Sequence, residues 1–154
     1  MLDAGENAPD FTLPNQSRQD VTLSTYRGNR TVVLAFHPLA FTPVCSAQMK
    51  DYLQAWPALQ ALDAEVLAIS LDAGPSKAAW GQSLGGVPFQ LLSDFHPHGA
   101  VTRAYGVMRD DGVAERALFV VDKAGRIAWA KLHQMPEQPD LAELVSVLED
   151  LKRA

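Results

Sequence analysis

A chain of 154 residues is long enough to enclose a hydrophobic core without disulfide or metal staples, and residues 1–154 are expected to form one domain. Hydrophobic residues make up 47% and charged residues 20%, a balance that excludes disordered and fibrous classes. The net charge of −5, with no lysine or arginine run, argues against a nucleic-acid partner. No apolar run could cross a bilayer, and "MLDAGENAPDF" has neither the basic start nor the apolar core of a signal peptide. No membrane partner and a cytoplasmic location are expected.

In chain order, "FTLPNQSRQDVTLS" predicts two short strands around a polar turn, an edge hairpin. "TVVLAF" from Thr31 predicts a buried strand that ends near His37, because Pro38 cannot donate to a sheet ladder. A helix follows from about Pro43 to Gln54, then a strand "EVLAISL" from Glu65, then helices from about Pro75 to Ser83 and His98 to Tyr105. The strands "ALFVV" from Ala117 and "RIAWAKL" from Arg126 are joined by a short turn containing Gly125, which predicts an antiparallel hairpin. From about Pro139 to Arg153, Leu141, Leu144, Val145, Val147, Leu148 and Leu151 recur at helical spacing and predict an amphipathic helix lying on the sheet. Together these elements predict an α/β fold with a central mixed sheet flanked by helices.

Cys45 is the only cysteine, so an intramolecular disulfide is excluded and a thiolate-rich zinc site has no ligands. A lone thiol is often an inert, buried small hydrophobe. Its context points to chemistry instead. Thr42 followed by Pro43 is a helix-start signal, with threonine at the N-cap and proline at the first helical position. Cys45 then falls in the first turn, where the helix dipole and free N–H groups favour thiolate over thiol. The Thr42 hydroxyl can accept from a backbone N–H as a cap while its own proton points at the sulfur or a bound oxygen.

The stretch "PLAFTPVC", Pro38 to Cys45, resembles the P-x-x-x-T-x-x-C signature of the peroxiredoxins. "SDFHPHGAVTRAYGV" and "GVAERALFVVDKAGRIAWA" are similar to the corresponding segments of the one-cysteine alkyl hydroperoxide reductase E group, and the likeness runs from "APDFTL" to the last strand. The resemblance implies a thioredoxin-like fold and a thiolate that attacks a peroxide oxygen and becomes a sulfenic acid. It also implies a proline that shields the site, a threonine that contacts the substrate oxygens, and an arginine from a distant strand. Those roles fall on Pro38, Thr42, Cys45 and Arg116. Arg116 opens an apolar strand, where a guanidinium requires an anionic partner. The thiolate is one candidate, and neighbouring Glu115 or solvent the other.

Two positions depart from the common pattern. His37, directly before the motif proline, either packs at the strand end or acts behind the thiolate. Gln48 stands where many members carry glutamate, which removes a carboxylate from around the arginine. His96 and His98 read as turn and helix-start residues rather than metal ligands, and Trp56, Trp80 and Trp129 as core or dimer contacts.

With no second cysteine, a sulfenic acid on Cys45 needs an external reductant, either a low-molecular-weight thiol or a mycoredoxin-, glutaredoxin- or thioredoxin-type protein. The expected function is a thiol peroxidase acting on hydrogen peroxide, alkyl hydroperoxides or peroxynitrite, with no cofactor and with a homodimer implied by the family. The alternatives are a peroxide sensor and a noncatalytic binding or chaperone module. Thiol–disulfide exchange is disfavoured because the residues three before and three after Cys45 are Thr42 and Gln48, so no C-x-x-C exists.

Overall fold

The computed structural model describes residues 1–154. β1 (Thr12–Pro14) and β2 (Asp20–Thr22) form a two-stranded antiparallel hairpin. The main sheet holds β3 (Thr31–Phe36), β4 (Ala64–Ser70), β5 (Gln90–Ser93), β6 (Arg116–Val121) and β7 (Ile127–His133), in the order β5-β4-β3-β6-β7. β3, β4 and β5 run parallel, β6 pairs antiparallel with β3, and β7 pairs antiparallel with β6 at the edge. The expected mixed sheet is therefore present.

The helices are α1 (Pro43–Gln54), α2 (Trp56–Ala61), α3 (Gly74–Ser83), α4 (Ala100–Ala104) and α5 (Leu141–Arg153). Every residue of β3 is buried, as a strand covered on both faces requires. Its side chains alternate between two cores. Val32, Leu34 and Phe36 face one that contains Phe11, Tyr105 and Phe119, while Val33 and Ala35 face a second that contains Cys45, Trp80, Leu144 and Leu148. Leu144 and Leu148 come from the apolar stripe of α5, so that helix lies on the Cys45 face.

The N-terminal hairpin is a separate small sheet and does not extend the main ladder as an edge. Side chains attach it to β5: Asn15 Nδ2 donates to Gln90 Oε1 at 2.9 Å, and Leu91 N donates to Gln16 Oε1 at 2.9 Å. Gly125 makes the β6–β7 turn at φ +85°, and a Cβ there would meet Arg27 Nε at 2.6 Å. α4 is shorter than expected because its chain entry is bent. The Asp94 carboxylate takes over its start, accepting from Thr102 N at 2.8 Å and Thr102 Oγ1 at 2.7 Å.

Candidate active site

β3 delivers the chain to His37 and Pro38, both buried, and the loop Leu39 to Phe41 turns back to the start of α1. Phe41 adopts φ 67°, a left-handed conformation that strains a bulky residue and sits directly before Thr42. Thr42 is the N-cap by position and Pro43 opens the helix. The first helical bond runs from Ser46 N to Thr42 O at 2.9 Å, which leaves the amides of the first turn pointing out at the site. Cys45 is fully buried in this turn.

The Thr42 hydroxyl does not cap the helix, contrary to the sequence expectation. Its proton goes instead to the Leu39 carbonyl, at 2.7 Å, so toward the site the oxygen presents only acceptor lone pairs. A hydroperoxide O–H can donate to it. It is not free to donate to the sulfur or to a leaving oxygen.

Arg116 comes from β6, on the same face of the sheet as Leu118, Val120 and Cys45. It is 3% exposed at the first position of β6. Nε donates to the Met135 carbonyl at 3.0 Å, and Nη1 lies 3.3 Å from Cys45 Sγ and 3.4 Å from Gln48 Oε1. The sulfur is thus a partner of the buried guanidinium, while Glu115 pairs with Arg109 at 3.6 Å. Gln48 is buried one turn beyond Cys45 and also donates Nε2 to Tyr52 Oη at 2.8 Å. Burial raises the Tyr52 pKa above its ordinary value, so the phenol stays neutral.

A cleft of about 500 Å³ opens beside these groups. Thr42, Asp111 and Arg116 supply its polar lining, and Pro38, Leu39, Val44 and Met135 supply apolar wall. Cys45 is covered and is not part of that wall. All four residues of the signature-based site therefore converge.

His37 has a more specific environment than strand-end packing. Its Nε2 lies 2.7 Å from Lys77 Nζ, and its ring is 5.0 Å from that of Trp80. Lys77 is fully buried on α3, and nothing in "SKAAWGQS" distinguishes it from an exposed helical lysine. His96 and His98 are exposed in the turn before α4, with His98 edge-on to Phe95. Trp80 is core, whereas Trp56 and Trp129 are half-buried.

A sheet of this topology with one thiol at a helix start, under a buried guanidinium and without a second cysteine, defines a thiol-based redox protein that does not work by internal disulfide exchange. Residues 4–130 match the AhpC/TSA family, and the chain belongs to that family, the peroxiredoxins. It is 45% identical over 141 residues to alkyl hydroperoxide reductase E of Mycobacterium tuberculosis, covering 91% of this chain and 92% of that one. Peroxiredoxin 2 of Thermoplasma acidophilum is 31% identical over 96% of this chain and 75% of its own length. Among solved structures, AhpC of Enterococcus faecalis superposes with a TM-score of 0.87 at 27% identity, over 97% of this chain and 92% of that chain. The fold is thioredoxin-like and the protein is a thiol-dependent peroxidase.

Proposed function

We propose that Cys45 is the peroxidatic nucleophile and that the 154 residues work as one redox unit. The thiolate attacks the terminal oxygen of a hydroperoxide; the S–O bond forms as the O–O bond breaks, and an alkoxide or hydroxide leaves. Negative charge developing on the leaving oxygen is met by the Arg116 guanidinium, already positioned by Met135 and Gln48. Thr42 accepts a hydrogen bond from the hydroperoxide O–H, whose proton stays on the oxygen transferred to sulfur, and so orients the O–O bond toward the sulfur. Pro38 walls the cleft and excludes water.

The observation that carries this reading is the 3.3 Å contact between Arg116 Nη1 and Cys45 Sγ. The apolar wall of Leu39, Val44 and Met135 supports alkyl hydroperoxides as substrates beside hydrogen peroxide. The sulfenic acid is recycled by an outside dithiol or two thiols: the first displaces water to form a mixed disulfide, and the second releases Cys45. A small redoxin in the cytoplasm is the fitting reductant. Exposed Phe41 and Phe95, on loops at the same end of the parallel strands, support a homodimer.

One equivalent of an alkyl hydroperoxide added to reduced protein should yield one equivalent of alcohol, with one oxygen added at Cys45 by mass spectrometry and captured by a sulfenic-acid trap. Excess external thiol should make the reaction catalytic. Alcohol formation that persists in Cys45→Ser would overturn the assignment.

A further inference from the structure

Behind the thiol lies a hydrogen-bonded chain that the peroxide reaction as described does not use. Its polarity can be read from one end. Asp72 Oδ2 only accepts, so Ser70 Oγ donates to it at 2.6 Å, as does Ala40 N, at 2.9 Å, from the loop that carries Pro38 to Thr42. The Ser70 oxygen is then an acceptor for Lys77 Nζ at 3.0 Å. As an ammonium Lys77 has three protons and three acceptors: Ser70 Oγ, the Ala68 carbonyl at 3.4 Å, and His37 Nε2 at 2.7 Å. His37 Nε2 must therefore be the bare nitrogen, and the ring proton sits on Nδ1, which is buried and has no partner. The ring is clamped against Trp80, whose own Nε1 donates to Ser46 at 3.1 Å, next to Cys45.

We propose that Lys77 is a positioning residue for the peroxide reaction: its charge adds a second buried cation behind Cys45 and holds His37 as the Nδ1–H tautomer, and its deprotonation reverses the ring. This rests on Cys45 being the nucleophile. When Nζ loses a proton it gains a lone pair that can accept from Nε2–H, so Nδ1 turns from donor to acceptor. The charged and titratable groups facing the pair are Asp72 after β4, Cys45 on α1 and Arg116 on β6; α3 carries no other ionisable side chain. Burial brings Lys77 down to about 7, against which Asp72 and Cys45 work to keep it charged, while burial, Lys77 and Arg116 hold His37 neutral. The reversal thus falls near neutral pH.

Nitrogen-15 NMR of the reduced wild-type protein, with His37 assigned against His37→Asn, reads the tautomer directly. At about pH 6 Nδ1 should show the protonated signature and Nε2 the bare one, and the two should exchange by about pH 8.5. In parallel, the rate constant with peroxide should fall about tenfold across the Lys77 titration, beyond any change from the thiol itself. Lys77→Met should be slow and lack that step, whereas Lys77→Arg, charged throughout, should retain the rate and lose the alkaline fall. A tautomer with Nε2 protonated at pH 6, or one that never changes, overturns the proposal; so does a reversal with no matching step in rate. If Lys77→Met does not fold, the wild-type titration decides. A protein inert to peroxide would overturn the peroxidase reading and this role together, whereas an unchanging tautomer beside a fast reaction overturns the Lys77 role alone.

Discussion

Arg116 Nη1 lies 3.3 Å from Cys45 Sγ, joining two residues 71 positions apart. The fork geometry matters as much as the charge, because Nε is committed to the Met135 carbonyl at 3.0 Å while Nη1 serves the sulfur and Gln48. Lysine offers a point charge and cannot hold both sides. Arg116→Lys should therefore slow the reaction with peroxide by about a hundredfold. A stopped-flow rate within about twofold of wild type would show that charge alone suffices.

Gln48 links the guanidinium to the buried phenol of Tyr52, accepting from one and donating to the other. Gln48→Leu removes both bonds and leaves the Tyr52 oxygen without its donor. We expect a loss of about 1–3 kcal/mol in urea unfolding and a peroxide rate lower by about tenfold.

Thr42 separates structural from chemical use of one hydroxyl. Thr42→Val strands the Leu39 carbonyl and removes the acceptor proposed for the hydroperoxide O–H, whereas Thr42→Ser keeps both. The valine variant should react about a hundredfold more slowly and the serine variant within about threefold of wild type, both measured by peroxide consumption.

Stability should depend on pH through His37 and Lys77. Burial holds His37 well below 6.5, so as the pH drops from 6.5 the unfolded chain takes up a proton that the folded one refuses. Stability falls in that direction. Lys77 sits at about 7 when folded and 10.5 when free, so between these values the unfolded chain binds the extra proton and stability rises with pH. Urea unfolding at about pH 5.5, 7 and 9 should show both slopes, and Lys77→Met should flatten the alkaline one.

The parts of the site that were legible in the sequence lie in contiguous or strongly patterned stretches. The all-apolar "TVVLAF" announces β3, Thr42 and Pro43 mark the helix start, and Arg116 stands out as a cation at the head of an apolar strand. Lys77 was not legible, because its burial depends on α3 folding over β3 and β4 to bring it to His37, Ser70 and Ala68. β5 escaped because it has only four residues, and α2 because Pro57 near its start resembles a breaker. The direction of the Thr42 proton depends on where the loop places the Leu39 carbonyl, which no spacing rule encodes.

The contact with Arg116 should make Cys45 a thiol reactive toward peroxides. The direct measurement is the second-order rate constant of the reduced protein with hydrogen peroxide and with an alkyl hydroperoxide, followed by stopped-flow tryptophan fluorescence, which Trp80 beside His37 should report. The rate should be at least about a thousandfold above that of free cysteine, absent in Cys45→Ser and strongly reduced in Arg116→Ala. A wild-type rate within about tenfold of free cysteine, or one unaffected by removing the guanidinium, would contradict it.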